Sequence, residues 1–398
     1  MSEFDFDIVI SGGGVAGLIA AASFGAHGFS VLCVDPAPPI TERDADGADL
    51  RSTALLQPAR TLLQDVQVWD LIVPYATPLD VMRIVDAGGP APTSRHTRDF
   101  VAADMGPLPF GWNVPNWALR KVMLDRLAAL DTVTFRSGVA TQSLVTRTGQ
   151  ARVRLSDGTR VRTKLMIAAD GRNSPMRAAA GVGVRTQRYG QKALAFAVTH
   201  AQPHANVSTE VHRTGGPFTL VPLPDYQGQP SSAVVWMDDG AEQVRRMALG
   251  TAEFEAEMTE RSAEVQGPLT LASRRSIWPI ISQRAGRMTA QRVALMAEAA
   301  HVVPPIGAQG LNMSLADLDS LLRLATASPD TLGDANMLEK YERARAADIA
   351  LRVSGIDMLN RASQASAPLM RDARGVGLRA LHDIAPVRKG LMKLGLGV

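Results

Sequence analysis

The sequence predicts an α/β chain: a parallel sheet, an antiparallel sheet domain inserted into it, and a helical C-terminal region. Three observations predict it. The apolar run Ile8-Val9-Ile10 enters Ser11-Gly12-Gly13-Gly14-Val15-Ala16-Gly17 and then an alanine-rich stretch. Two later apolar runs, Leu165-Met166-Ile167-Ala168 and Val293-Ala294-Leu295-Met296, each deliver an acid, Asp170 and Glu298. Between them, from Lys192 to Ile281, the pattern changes to short alternating β-runs. Strands buried on both faces read as continuous apolar runs, whereas alternation marks a sheet with two unlike faces.

Taken in order, Gly12, Gly14 and Gly17 fit Gly-x-Gly-x-x-Gly. Gly12 permits the tight turn, Gly14 lets backbone amides approach a pyrophosphate, and Gly17 lets the helix pack closely on the strand. The unpaired amides and dipole of the helix start favour that anion. A second strand, Val31-Leu32-Cys33-Val34, ends at Asp35, where an acid takes adenosine ribose hydroxyls. Residues 36–50, with Pro36, Pro38, Pro39 and several aspartates, read as a loop. Asp49-Leu50-Arg51-Ser52-Thr53-Ala54-Leu55 reads as the opening of a helix that continues through Leu62 and Leu63. Arg51 is either a partner for cofactor oxygens or a solvated arginine at a helix end. Residues 78–104 read as a hairpin excursion, and a helix follows from Asn116 with Leu119, Leu124, Leu127 and Leu130 on its apolar face.

Residues 133–168 alternate around the hairpin signal Ser156-Asp157-Gly158 and end in a buried strand. That strand brings Asp170 and Gly171 to the carboxyl end of the sheet, where such folds bind ligands. Phe218-Thr219-Leu220-Val221-Pro222-Leu223 and Ser232-Ala233-Val234-Val235-Trp236 belong to the inserted sheet, which one amphipathic helix near 252–265 interrupts. After Glu298 come His301, the loop Pro304-Pro305-Ile306-Gly307-Ala308-Gln309-Gly310, and a helix with Leu311, Leu315, Leu318 and Leu322. Residues 335–398 read as helical with a basic excess.

A chain of 398 residues exceeds what one core organises, so two domains are expected. A net charge of +3 is too small to imply nucleic acid, although the pI near 9.2 keeps anionic surfaces in play. The single cysteine, Cys33, forms no internal disulfide, which fits a reducing cytosol. The acidic start Met1-Ser2-Glu3-Phe4-Asp5 is no signal peptide, and no apolar run approaches the ~20 residues of a membrane span. The histidines lack metal-ligand spacing, so no metal site is expected. Asn206-Val207-Ser208 matches a glycosylation sequon without meaning in a cytosolic chain. Gly375-Val376-Gly377-Leu378-Arg379-Ala380 repeats the glycine pattern but follows charged residues rather than a strand, so it is set aside.

Together these stretches resemble the class A flavin-dependent monooxygenases, the para-hydroxybenzoate hydroxylase-like fold. Asp170-Gly171…Ser174…Arg177 matches the family's second fingerprint, Asp-Gly-x-x-Ser-x-x-Arg. Residues 292–317 match the third, Gly-Asp-Ala-Ala-His…Pro-Pro…Gly-Gln-Gly-x-Asn…Asp. Asp49-Leu50-Arg51-Ser52-Thr53-Ala54-Leu55, Trp278-Pro279-Ile280 and Tyr341-Glu342-Arg343-Ala344-Arg345 are most similar to the ubiquinone-biosynthesis hydroxylases. The resemblance implies a discontinuous Rossmann-type FAD-binding domain over 1–75, 105–184 and 282–334. It implies an antiparallel β-sheet substrate domain over 76–104 and 185–281, and a C-terminal helical region over 335–398.

Carried over by resemblance, Gly12, Gly14, Gly17 and Asp35 bind the ADP half of FAD. Arg51 and Asn116 (a position more often Arg or Gln) contact the ribityl and pyrophosphate region, and Asp170 and Gly171 lie beside the pyrophosphate and the nicotinamide approach. Glu298 takes a ribityl hydroxyl, and Gly307, Gly310, Leu311 and Asn312 bring amides to the flavin pyrimidine edge. His301 and Pro304-Pro305 shape the loop over the isoalloxazine, His301 as a hydrogen-bonded structural histidine. The substrate pocket is expected to use Phe218, Leu220, Pro222, Trp236 and Pro304. Four positions depart from the family: its Gly-Asp is Ala297-Glu298, its Gly-Gln-Gly is Ala308-Gln309-Gly310, and its glycine two after the asparagine is Ser314.

The implied activity is ring hydroxylation of a (poly)prenylated phenol in ubiquinone biosynthesis, with NADPH or NADH as transient co-substrate and O2, through a flavin hydroperoxide. The alternatives are a flavin-dependent reductase or dehydrogenase of the same superfamily, or a non-catalytic subunit of a quinone-biosynthesis complex. The expected location is cytoplasmic. Peripheral membrane or complex association is expected through Arg371, Arg374, Arg379, Arg388, Lys389 and Lys393, with Leu378, Leu381, Ile384, Leu391, Met392 and Leu394 as apolar surface. The other reading of that stretch is a helical cap docked on the FAD domain.

Overall fold

The parallel sheet forms around the first apolar run. A computed structural model of the chain describes residues 4–87, 96–213, 215–364 and 385–396. Phe6–Ser11 lies between Val31–Asp35 and Arg160–Ala168, both parallel to it, with Val293–Leu295 and Val133–Ser137 continuing the parallel set on either side. Ile8, Val9, Ile10, Val31, Leu165 and Ile167 are fully buried, as strands covered on both faces must be. Antiparallel Ala151–Leu155 and Thr141–Thr146 extend the sheet beside the lower part of Arg160–Ala168. The helices Val15–Ala26 and Gln309–Ala327 cover it and share one apolar core with Ala335–Gln364.

The inserted sheet runs His301–Val302, Ser276–Ala285, Val184–His200, Gln229–Asp239, Gly216–Tyr226, Val207–Arg213, Val81–Asp86, His96–Val101. It is antiparallel except where Val207–Arg213 lies parallel to Val81–Asp86. Register fixes its two faces. Phe218 lies opposite Trp236, and Trp236 opposite Leu194, so these three share one face. That face is packed by Phe254 and Met258 of the helix Thr251–Arg261. Trp278 lies opposite Ala193, and Ala193 opposite Met237, on the other face. There Ile306, from the loop before Gln309–Ala327, packs against them.

One sequence expectation is corrected. Residues 52–56 form a strand, paired with Gly111–Pro115 in a small sheet, and the helix starts only at Gln57. Pro58 sits in the first turn, where its missing N–H costs nothing, and Leu56 caps the helix in extended backbone. The small sheet seats on the large one through Asn113, whose Nδ2 donates to the Pro222 carbonyl at 2.8 Å. Of the C-terminal basic stretch, Arg371, Arg374, Arg379, Leu378, Leu381 and Ile384 lie outside the described residues.

Candidate cofactor and substrate site

The site lies where the strands Phe6–Ser11, Arg160–Ala168 and Val293–Leu295 end. Gly12 takes φ +108°, and a Cβ there would sit 2.4 Å from the Ala169 carbonyl oxygen. A Cβ on Gly17 would fall within van der Waals contact of the Gly12 oxygen, so neither position admits a side chain. Gly14 differs: it is the N-cap of Val15–Ala26, no side chain caps it, and its added Cβ meets nothing within 4 Å. The helix start therefore opens outward with orphan amides. Asp35 is held beside it, accepting from the Gly13 N–H at 2.6 Å and the Ala37 N–H at 2.9 Å.

The second fingerprint is a clamp. Ser174 caps the helix Pro175–Ala179 by accepting from the Arg177 N–H. The buried Arg177 guanidinium donates to the carbonyls of Ala299 at 2.8 Å and Arg172 at 3.0 Å, which locks this turn to the third fingerprint. Asp170 Oδ2 accepts from Ser11 Oγ and the Met176 N–H, while its buried Oδ1 has no partner among the described residues. Burial pushes this carboxyl above its ordinary value. Beside it Gly171 takes φ +84°.

Arg51 is bound bidentately by Asp49, both bonds at 2.8 Å, and its guanidinium lies 5.6 Å from the Trp278 ring centre. Asp49 also accepts from Asn116 at 3.0 Å and Arg120 at 3.4 Å. Burial raises the Asp49 carboxyl, but these donors, Arg51 foremost, hold it below its ordinary value. Asn116 turns its own oxygen to Thr53 Oγ1. Glu298 is half-exposed and lies 3.5 Å from Arg172 Nε, and it adds to the field on Arg51. Asp49 and Glu298 thus bracket Arg51, which also lies beside Trp278, with Arg120 on Asp49 and Arg172 on Glu298.

In the third fingerprint, Gly307 and Ala308 are both left-handed, with φ +62° and +55°, and Ala308 is the N-cap of Gln309–Ala327. No side chain caps this helix, and a Cβ on Gly310 would meet nothing within 4 Å, so Gly310 and Leu311 sit on an open amide-bearing turn. The Asn312 side chain serves the fold, donating to Ala54 O and Ala308 O and accepting from the Leu56 N–H. His301 donates from Nε2 to the fully buried Asp317 at 2.6 Å, and Arg345 Nε reaches the other oxygen at 2.8 Å. His301 stands as a structural histidine. Pro304 is buried in the loop, and its carbonyl accepts from the Ile306 N–H.

The substrate-pocket expectation needs correction. Phe218, Leu220 and Trp236 are buried in the core between the sheet and Thr251–Arg261, not on the face that meets the loop. Pro222 lies at the seam with the small sheet. The face toward Ile306 instead carries Ala193, Met237, Val235, Trp278 and Tyr189. Burial and the neighbouring Asp357 push the Tyr189 hydroxyl up to about 12; it donates its one hydrogen to Asp357 and accepts from Ser282 Oγ. Alternation separated the faces but could not say which one the helix covers. Arg172 and Asp317 were missed as site residues because their partners Glu298 and Arg345 are remote in sequence, whereas Asp49, two residues before Arg51, and Gln309, two after Gly307, lay within stretches already singled out.

Two uncapped helix starts, the open side of Gly14 and the unpartnered Asp170 oxygen fit a dinucleotide carrying a pyrophosphate and an extended ring. Comparisons agree. A family model described as FAD binding domain matches residues 5–353. Ubiquinone hydroxylase UbiL of Rhodospirillum rubrum is 31% identical over 394 residues, 98% of this chain and 89% of that protein. The 3-demethoxyubiquinol 3-hydroxylase of Escherichia coli is 26% identical over the whole of both chains. Among solved structures, p-nitrophenol 4-monooxygenase PnpA from Pseudomonas putida superposes with a TM-score of 0.78 at 18% identity, covering 98% of each chain.

Proposed function

This chain belongs to the FAD-binding-domain family of flavin-dependent monooxygenases, and on that premise we propose that it hydroxylates the ring of a (poly)prenylated phenol on the route to ubiquinone. The observation that carries this reading is full-length similarity to ubiquinone hydroxylases, joined to an apolar face set against the flavin loop. When bound, FAD would supply the oxygen-activating chemistry, with NADPH or NADH as its source of electrons. The protein's residues bind, orient and exclude water.

Gly12, Gly14 and Gly17 admit the pyrophosphate to the helix start, with Asp35 toward the ribose, and Asp170 and Gly171 border it. Arg51, held by Asp49 and Asn116, and Glu298 address the ribityl chain. Gly307, Gly310 and Leu311 present the helix start to the pyrimidine edge, where its dipole favours negative charge. Asn312 keeps that turn in place. The substrate ring is proposed to meet the partly buried Trp278, Val235 and Ile306, on the apolar face whose base is Ala193 and Met237.

Deletion of the gene in its source organism, followed by mass spectrometry of accumulated quinone precursors, tests this function. A precursor lacking one ring hydroxyl supports it; an unchanged quinone profile contradicts it. A purified protein that oxidises NAD(P)H on adding substrate, without O2 uptake, would favour a reductase. A colourless protein would favour the non-catalytic subunit.

We also propose peripheral attachment to an anionic membrane. No helix among the described residues is long and apolar enough to cross a membrane. Lys389 and Lys393 are exposed on Ala385–Leu396, and Leu351, Met358 and Leu359 are exposed on Ala335–Gln364. Liposome flotation of the full chain against one ending at Ala365 tests it, and equal behaviour removes the claim.

A further inference from the structure

We propose that the C-terminal helix Ala385–Leu396 latches the flavin loop, and that Gln309 is the positioning residue through which it acts. Gln309 is the first residue of its helix, directly after the left-handed pair Gly307 and Ala308. Its buried amide has one consistent orientation. Nε2 donates to the Gly307 carbonyl at 2.9 Å and to the Gly395 carbonyl at 3.0 Å, while Oε1 accepts from Arg352 Nη1 at 2.6 Å. One side chain therefore ties the loop to itself, to the long helix Ala335–Gln364, and to the end of the chain.

The tie continues inward without a break. Arg352 binds Asp348 at 2.8 Å, and Asp348 binds Arg345 at 2.9 Å. Arg345 binds Asp317, whose other oxygen accepts from His301 and from the Ala297 N–H, next to Glu298. The loop at the pyrimidine edge and the acid at the ribityl chain thus hang from one hydrogen-bonded series that ends in the C-terminal helix. That helix is fixed at its other end as well: Arg388 pairs with Asp104 at 3.2 Å, just beyond the last strand of the substrate sheet, and Met392 is buried. Bridging sheet domain and loop, it holds Gln309, and Gln309 holds the turn whose amides face the cofactor. Such a role falls to a positioning element, since nothing in this helix needs to touch the reacting atoms.

This inference rests on the reading that residues 307–311 face the flavin, and the experiment separates the two. FAD titration and the midpoint potential of bound flavin are measured for the full chain, for a chain ending at Ile384, and for Gln309→Glu. The glutamate keeps size and the Arg352 contact but sets a carboxylate oxygen against two carbonyls. Both variants should bind FAD about tenfold more weakly, and Gln309→Glu within the shortened chain should add little, because the two act through one contact. Reduced flavin, which relies most on the helix start, should lose about tenfold more than oxidised flavin. That converts to a potential about 30 mV more negative for a two-electron couple.

A general loss of stability would weaken both redox forms alike and leave the potential unchanged, which overturns the latch. So would full affinity in either variant. If the full chain takes up no FAD, the reading of the loop falls and the latch with it.

Discussion

Two family glycines are alanines here, and both stand where the backbone is left-handed: Ala297 at φ +55° and Ala308 at φ +55°. An L-residue pays about 1–2 kcal/mol for that conformation because its Cβ crowds the following carbonyl. Restoring glycine removes this cost, offset by about 0.5–1 kcal/mol for the greater freedom glycine loses on folding. Each of Ala297→Gly and Ala308→Gly should therefore stabilise the apoprotein by about 0.5–1 kcal/mol. The Ala297 N–H still reaches Asp317, and the Ala308 carbonyl still accepts from Asn312, because both bonds use backbone atoms. The double variant should show the sum, within a few tenths of a kcal/mol.

The assay is a denaturant midpoint at constant slope, since a 398-residue chain converts such energies into small thermal shifts. Ala299→Gly is the control: Ala299 is buried in the same short helical turn without a positive φ, so glycine there should destabilise by about 0.5–1 kcal/mol. An Ala308→Gly protein no more stable than wild type, with Ala299→Gly behaving as stated, would refute the argument from left-handed backbone.

Gly14→Val should give a folded, colourless apoprotein, because its side chain enters space that no protein atom fills; stoichiometric FAD in that variant would sink the cofactor assignment. Glu298→Ala should weaken FAD about ten- to a hundredfold, from a charged hydrogen bond of roughly 1–3 kcal/mol. Glu298→Asp should not improve binding, because the longer side chain is the one that lies near Arg172. Wild-type affinity in the alanine variant means that Glu298 does not touch the cofactor. The Asp49 carboxyl is held below its ordinary value when folded, so the stability it contributes is present above the ordinary carboxylate range, about pH 4. That contribution is lost as pH falls through the lowered folded value. Comparing unfolding of wild type and Asp49→Asn from neutral pH downward should show a gap that closes in this acid window; a gap independent of pH contradicts the assignment.

Much of this architecture was legible because local chemistry and long-range structure agree along the apolar strands. The run through Ile10 into Gly12 needs a turn that only glycine makes, and the strand ending at Ala168 is apolar because both its faces are buried there. The strand at Ser52–Leu56 was misread as a helix because its pairing partner, Gly111–Pro115, is distant in sequence. Alternation in Phe218, Leu220 and Trp236 marked one face without marking what covers it. The helix carrying Phe254 and Met258 settles that, and no local pattern places it. Ion pairs such as Arg172 with Glu298 and Arg345 with Asp317 join segments that meet only after folding. The left-handed backbone at Ala297 and Ala308 was hidden for a different reason: alanine is the residue least suited to announce it.

The central claim, oxygen insertion by a flavin enzyme into a prenylated ring, is tested most directly by turning over the FAD-loaded protein with NAD(P)H and a prenylated phenol under isotopically heavy dioxygen. The account predicts one heavy oxygen atom on the product ring, with none taken from solvent. NAD(P)H oxidised to yield only peroxide, or a product whose new oxygen comes from water, would contradict it.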